Sequence, residues 1–471
     1  MINSASKVRF DILRVPLLGR FLLWKHGRTA VQLILFVLAA AIIVDGLFGS
    51  QLAPRNFATV AAWVHYRGLV VLALLLVGNL FCASCPFILP RKLAKWIGQP
   101  KMRWPKALRN KWLALICLLA IVYSYELFDL WSTPWWTAWL TIAYFATAFV
   151  LEAFFTRNSF CMYVCPLGTF NFLYSTVSPL QITSRNMNVC HDCKGKECLN
   201  GSATQQGCQL ELFVPTINSN LDCTFCLDCA KACPYENVAL TTRPPGDELF
   251  KQSWPHRIDL ALLAILAAIL GLVNAFGMTP PVYALEVWLA NLTGMQSEAL
   301  ILGLIYVGGI GLPLLLIYGA AALARLASGV KNSLNRLIIR YAYSFVPLGF
   351  AIWIAHYLFH FLTGAMTILP VTQTFFSRTL GMPIFGEPNW KLAALFVPST
   401  ASIQLAQLVI MVIGLLAAVL VAMNAAQKSQ KTSRGVLLEV APWLILLLIV
   451  AFTGITTFTL PMEMRGSALG G

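Results

Sequence analysis

Eight cysteines lie within the 44 residues from Cys190 to Cys233. The last four form the run Cys223-x2-Cys226-x2-Cys229-x3-Cys233, which a proline follows. Thiolates at this spacing can ligate three corners of one [4Fe-4S] cluster, while the fourth thiolate points to a neighbouring cluster. The motif therefore predicts an iron–sulfur module in the middle of the chain.

The rest of the chain is strongly apolar. Of its 471 residues, 58% are hydrophobic and 11% are charged, which is outside the range of ordinary soluble proteins. A helix of about 20 apolar residues spans a bilayer, because lipid offers the backbone no hydrogen-bond partners. Nine stretches meet this requirement and predict an all-α, multi-pass membrane protein. They are residues 30–49, 67–86, 112–132, 136–157, 257–277, 300–325, 339–363, 401–424 and 436–460.

The order of motifs and spans predicts four regions. Residues 1–29 form a basic segment at the membrane interface, and residues 30–183 form a membrane block of four helices. Residues 184–255 form the inserted cysteine-rich domain, and residues 256–471 form a second membrane block of about five helices.

The distribution of charge predicts sidedness. The net charge is +15, and the loop 91–111 carries eight basic residues and no acidic residue. Basic loops favour the cytoplasmic side of a membrane, and the predicted spans place the insert on that same side. The charge is therefore typical of a protein in contact with lipid and does not indicate a nucleic-acid partner. A reducing cytoplasm also favours thiolate ligands over disulfides.

The run of four cysteines resembles that of bacterial two-cluster ferredoxins, an α+β module in which the two halves exchange their fourth ligands. On that pattern the first cluster takes Cys190, Cys193, Cys198 and Cys233. The second cluster takes Cys223, Cys226, Cys229 and Cys208. The upstream motif departs from the pattern, since one gap is wider and Gln209 rather than proline follows Cys208. Zinc is the alternative for a four-cysteine site.

Two further cysteine pairs precede prolines at the predicted ends of spans: Cys82-x2-Cys85-Pro and Cys161-x3-Cys165-Pro. With the insert they resemble the membrane polyferredoxins typified by the quinol-dehydrogenase subunit of periplasmic nitrate reductase and the nitrous-oxide-reductase regulator. The resemblance covers about residues 60–255 and implies a bacterial inner-membrane location with a cytoplasmic ferredoxin module. The four thiols have three interpretations: a third iron–sulfur centre, redox-active dithiols, or the packing of helix ends.

Two histidines in a later span suggest a quinone site. His356 and His360 are four residues apart and share one helix face, where an imidazole can donate to a quinone carbonyl. Ionisable groups inside a membrane are commonly functional, so His65 with Arg67 is a comparable candidate. Glu126 and Glu152 are further ionisable groups.

These features favour one function over two alternatives. The first is an electron-transfer subunit of a quinone-linked oxidoreductase complex, in which electrons pass between a cytoplasmic carrier or redox subunit and a quinone or membrane partner. The alternatives are a redox-sensing or maturation protein for another metalloenzyme, and a cluster-regulated transporter. Glycine-rich nucleotide motifs are absent from the insert, which disfavours direct reaction with a nicotinamide nucleotide.

Overall fold

The computed structural model describes residues 10–462 and is mostly helical. Within those residues, eight helices are long and apolar enough to cross a membrane, so the chain is a multi-pass membrane protein. With one shorter helix, α3, they are α1 Gly27–Phe48, α2 Phe57–Val77, α3 Trp112–Leu127, α4 Pro134–Phe154, α5 Ile258–Phe276, α6 Glu298–Ser328, α7 Leu334–Thr379, α8 Thr400–Ser429 and α9 Ser433–Thr459. This arrangement confirms the predicted all-α membrane fold.

Two of the predicted spans differ from the observed helices. The span predicted at 112–132 is a helix of only 16 residues, about 24 Å long, because Asp129 adopts a left-handed φ of 42° just beyond its end. The span predicted at 67–86 is α2, which begins ten residues earlier at Phe57. It ends at Val77 because Gly78 has a φ of 69°, so Cys82 and Cys85 lie beyond the helix.

Short helical segments connect these helices. The α-helical ones are Leu18–Leu23, Leu80–Ala83, Arg91–Gly98, Pro166–Tyr174, Met187–Asp192, Glu197–Asn200, Asp228–Ala232, Asp247–Lys251 and Pro280–Thr293. The 3-10 segments outside the long helices are Ile12–Arg14, Ala53–Arg55, Pro86–Ile88, Lys106–Leu108, Ser175–Val177, Val214–Thr216 and Trp390–Ala394. Among the described residues, the π-helical turn outside the long helices, Phe160–Val164, carries Cys161.

The first of two compact units comprises residues 10–40, 72–115 and 142–254. It contains an antiparallel pair of strands, β1 Leu180–Ser184 and β2 Val238–Thr242. Alternate residues of β1 point into a core that also buries Cys198 and Cys229. The strands therefore bracket the insert and place its cysteines against a small apolar core.

The second unit comprises residues 41–71, 116–141 and 255–462. Its centre consists of α5, α7, α8 and α9, which pack on one another. Gly414 of α8 allows a close approach to α7, since a Cβ at Gly414 would lie 2.3 Å from the Ala351 Cβ. Small residues at such contacts let membrane helices pack closely.

Candidate functional site: three groups of cysteines and a buried polar cluster

The cysteines of the insert form two groups of four. The upstream group comprises Cys190, Cys193, Cys198 and Cys233, and the thiol of Cys198 has the other three as electrostatic neighbours. The downstream group comprises Cys208, Cys223, Cys226 and Cys229, and the thiol of Cys229 likewise has the other three as neighbours. Cys233 thus lies with the upstream motif and Cys208 with the downstream motif, the arrangement that exchanged fourth ligands require.

The backbone joins the two groups. The Cys208 amide donates to the Cys198 carbonyl over 3.0 Å, and Cys198 is also an electrostatic neighbour of Cys229. Residues far apart in the two motifs are therefore held side by side. Any cofactors in the two groups would be adjacent.

Left-handed backbone turns accompany the downstream cysteines. Asp222, Phe225 and Leu227 have φ values of 67°, 55° and 61°. Residues with a Cβ adopt this conformation at a cost and keep it where surrounding structure imposes it, often at functional sites. Here the turns lie immediately around Cys223 and Cys226, so the backbone bends at each step to bring thiols to one place.

Nitrogen donors point at the sulfur atoms of the insert. The side chain of Asn237 donates to Cys190 Sγ over 3.2 Å and its backbone amide donates to Cys233 Sγ over 3.4 Å. In the downstream group the Leu212 amide donates to Cys208 Sγ over 3.4 Å. Thiolates accept such bonds better than neutral thiols do, and hydrogen bonds to sulfur are one means by which proteins tune iron–sulfur centres.

Four of the five cysteines outside the insert also converge. We call Cys82, Cys85, Cys161 and Cys165 the membrane-edge group; the thiol of Cys165 has the other three as electrostatic neighbours. The two pairs come from the segments that follow α2 and α4. The structure therefore brings together two motifs that are about 80 residues apart in the sequence.

Nitrogen donors also point at sulfur atoms in the membrane-edge group. The Gly168 amide donates to Cys165 Sγ over 3.1 Å. The side chain of Asn171 donates to Cys82 Sγ over 3.3 Å, although Asn171 is itself buried. Burying the Asn171 amide costs free energy, because the amide loses its hydrogen bonds to water. If the cysteines only packed helix ends, an apolar side chain would serve as well at this position.

Arg28, in the first turn of α1, links two of the groups. Its Nε donates to the Ala83 carbonyl over 2.8 Å, within the membrane-edge motif. Its Nη1 donates to Asp228 Oδ2 over 3.0 Å, within the downstream motif. The guanidinium is also an electrostatic neighbour of Cys85 and Cys226. One cation therefore contacts the loops of both groups.

Burial determines the protonation of the free thiols. Desolvation is the main cause that raises the pKa of Cys82, Cys85 and Cys161 to about 12. It also raises the pKa of Cys226 to about 11. Bound iron would reverse this preference, since a coordinating metal deprotonates its thiols. The three groups thus supply soft sulfur ligands in a shielded setting, which fits the requirements of iron–sulfur centres.

The cysteines of each group lie farther apart than the ligands of a single metal ion would. Among residues 10–462, His, Cys, Asp and Glu side chains nowhere form a group of three that could hold one metal ion. A cluster places its ligands on different irons and so needs a wider set. All thirteen cysteines are free, and Cys117 lies apart on α3.

A second candidate site lies in the second unit, where side chains from four helices form a polar cluster. We use this term for Arg67, Glu126, Asn274, His356 and His360. Arg67 is an electrostatic neighbour of Glu126 and of both histidines. The Asn274 side chain donates to Glu126 Oε1 over 2.9 Å. Three candidates that the sequence offered separately therefore meet at one place.

Aromatic rings surround the cation of the polar cluster. The Arg67 guanidinium carbon lies 4.4, 4.3 and 5.1 Å from the ring centroids of Trp63, Tyr125 and Tyr357. Such cation–π contacts stabilise a charge away from water. Arg67 Nη1 also donates to the Tyr125 hydroxyl over 3.2 Å. The charge of Arg67 is thereby held inside the apolar block.

The two histidines contact each other. His356 Nε2 lies 3.2 Å from His360 Nε2 and 3.3 Å from Met278 Sδ. His356 Nδ1 is buried without a hydrogen-bond partner. His65 is engaged elsewhere, with its ring nitrogens 3.0 and 2.8 Å from the carbonyls of Val60 and Ala365. His356 and His360 therefore offer a polar atom to a bound molecule, whereas His65 ties α2 to α7.

Glu152 is held by cations rather than left accessible. It is buried near the end of α4 and pairs with Arg91 over 2.6 Å and with Lys95 over 3.8 Å. It is also an electrostatic neighbour of Cys161. Glu152 thus lies beside the membrane-edge group, as expected from its closeness to Cys161 in the sequence.

Sequence reasoning missed Arg28, Asn171 and Asn237, the side chains that support the thiols. Arg28 and Asp228 are 200 residues apart, so no local pattern relates them. For Asn171, the available signal was a polar residue in an otherwise apolar helix, three positions after Gly168. For Asn237, it was a polar side chain just after the Cys233-Pro234 pair.

Comparison with known proteins gives one relative. Over 127 residues, the chain is 29% identical to YccM of Escherichia coli strain K12, whose description as an electron transport protein is itself provisional. The match covers 26% of this chain, and the chain spans about a third of the length of that relative, 34%. No family model and no solved structure matches. The similarity supports a general electron-transfer role.

Proposed function

We propose that this chain is an electron-transfer protein of the bacterial inner membrane. It passes electrons between a cytoplasmic redox partner and a quinone or a membrane redox partner. The similarity to an electron transport protein supports the general role. The observation that carries the proposed route is the exchange of partners in the insert, where Cys233 joins the upstream group and Cys208 joins the downstream group.

Each group in the insert would hold one [4Fe-4S] cluster, and such clusters accept and release single electrons. The protein would supply the ligands, the donors to sulfur and the shielding from water. Asn237 serves the upstream group and Leu212 the downstream group in this way. The positive-inside bias of the loop 91–111 supports a cytoplasmic position for the insert.

The membrane-edge group would hold a third iron–sulfur centre. Cys82, Cys161 and Cys165 are buried, whereas reactive redox thiols need access to their reaction partners. Donors from Gly168 and Asn171 to two of the sulfurs support ligation over simple packing. Arg28, which contacts both loops, would place this centre next to the downstream one.

The polar cluster would bind the quinone headgroup. A quinol that loses two electrons also loses two protons, so its site needs hydrogen-bond partners and proton acceptors in an apolar setting. His356 can accept a hydrogen bond from a quinol hydroxyl at Nδ1 in the tautomer that leaves this nitrogen unprotonated. Glu126, hydrogen-bonded to Asn274, is a further acceptor within the same cluster.

Analysis of iron and acid-labile sulfide, with low-temperature EPR on anaerobically purified protein, tests the centres. Three centres predict about twelve irons per chain and two predict about eight. Substitution Cys165→Ser should lower the count by about four if the membrane-edge group ligates a cluster. An unchanged count in this variant would limit the proposal to the insert, and zinc in place of iron would refute it.

A further inference from the structure

A polar recess of about 440 Å³ opens in the first unit. Three of the residues that line it are cations, namely Lys95, Arg103 and Arg157, and three carry amide side chains, namely Asn200, Gln206 and Gln209. Among the described residues that line it, none is acidic. The recess therefore presents positive charge together with neutral hydrogen-bonding groups.

The wall of the recess is the chain segment that carries Cys208. Gly207 and Gln209 flank this cysteine and both line the recess. Arg157 reaches the Cys208 carbonyl from Nη1 over 3.4 Å, and the next amide along, of Asn158, donates to the Gln209 carbonyl over 3.3 Å. The recess is thus built directly against a proposed ligand of the downstream group.

The same wall leads to the upstream group. The Cys208 amide donates to the Cys198 carbonyl, and Asn200, two residues beyond Cys198, lines the recess. A molecule seated there would approach one proposed ligand of each cluster in the insert. Electron exchange between two proteins requires a short distance between their redox centres.

Nearby acids do not cancel the positive charge. Glu152 is closest to Arg91, at 2.6 Å, and lies 3.8 Å from Lys95. Glu211 pairs with Arg157 over 3.5 Å. Arg103 is exposed at the recess. Two carboxylates thus face the four cations Arg91, Lys95, Arg103 and Arg157, so these six groups keep a net positive charge.

We propose that this recess is the docking site of a small, acidic one-electron carrier protein. The inference rests on the proposed electron-transfer function and names the partner's contact surface. Carboxylates of the carrier would meet Lys95, Arg103 and Arg157, since complementary charge guides association and fixes orientation. One electron then leaves the reduced carrier and enters a centre of the insert, and no covalent bond forms or breaks.

Stopped-flow reduction of the full-length protein tests the proposal. The probe is a reduced plant-type [2Fe-2S] ferredoxin, a small acidic carrier of low potential. Reduced methyl viologen, a small cation that needs no basic docking site, is the comparison reductant. Substitution Arg103→Glu should slow reduction by the ferredoxin about tenfold and weaken its dependence on salt. Reduction by methyl viologen should stay unchanged.

Lys251→Glu provides the matched control, because Lys251 is an exposed cation of the same unit that does not line the recess. Equal rates for the Arg103 and Lys251 variants would overturn the docking site. Loss of EPR signals in wild-type protein would instead refute the proposed centres, and so the two failures are distinguishable.

Discussion

In the first unit, nitrogen donors converge on sulfur atoms, whereas in the second unit ionisable side chains converge on one another. Asn171 and Asn237 each direct a side-chain amide at a cysteine. In the polar cluster, by contrast, Glu126 and Arg67 lie among aromatic rings and histidines. The first arrangement suits groups that carry electrons, and the second suits groups that carry protons. On the proposed function, electrons and protons would therefore be handled by two differently built regions of the chain.

The largest expected effect comes from removing a proposed cluster ligand in the first unit. Cys229→Ser should abolish one centre and lower the iron content by about four per chain. Cys117→Ser, on α3 and outside the three groups, should leave the content unchanged. Elemental analysis of both variants measures this, and equal iron contents would show that Cys229 does not ligate.

A large effect is also expected from the polar cluster. His356→Leu removes the imidazole of a buried histidine and should slow cluster reduction by a quinol analogue on the order of a hundredfold. Iron content and reduction by methyl viologen should not change, because the histidine lies in the other unit. His65→Gln is the matched control, since His65 contacts backbone carbonyls. A similar slowing in both variants would argue against a quinone site at His356.

A smaller effect is expected from the cation between two cysteine groups. Arg28→Gln should shift the midpoint potentials of the membrane-edge and downstream centres to more negative values, because a nearby positive charge stabilises the reduced form. Arg28→Lys should restore much of the shift. Potentiometric titration followed by EPR measures both variants. If Arg28→Lys does not restore the midpoint potentials, the charge of Arg28 does not set them, and Arg28 acts only by holding the two loops.

The smallest effect concerns pH. Burial, together with the neighbouring Arg91 and Arg157, lowers the pKa of Lys95 to about 8, although Glu152 acts in the opposite direction. Lys95 is therefore charged below this pH and loses its charge above it. Reduction by the acidic ferredoxin should slow about twofold from pH 7 to pH 9. Lys95→Gln should lack this step, and a step that persists in that variant would belong to another group.

The sequence was sufficient to predict the elements but not their partners. Hydropathy identified the helices because lipid imposes a length and an apolar composition on each of them. It misplaced α2 because the polar residues His65 and Arg67 interrupt the apolar run, and it overextended α3 past the left-handed Asp129. The regions 1–29, 30–183, 184–255 and 256–471 stay predictions.

For the site, spacing suggested the cysteine groups, because ligands of one cluster recur at short intervals in the chain. The supporting residues were not predictable, since their contacts are long-range. Asn171 meets Cys82 across 89 positions and Arg28 meets Asp228 across 200. The meeting of Arg67 with His356 likewise depends on how α2 and α7 pack.

The placement of Arg28 has a consequence for biogenesis. Arg28 belongs to α1, whereas Asp228 is synthesised 200 residues later. The surroundings of the downstream group are therefore complete only when four helices and most of the insert have been translated. If the downstream group binds iron as proposed, its full set of neighbours exists only after α1 has been made, and the cell's cofactor-loading machinery would then act on a chain that already carries a membrane helix.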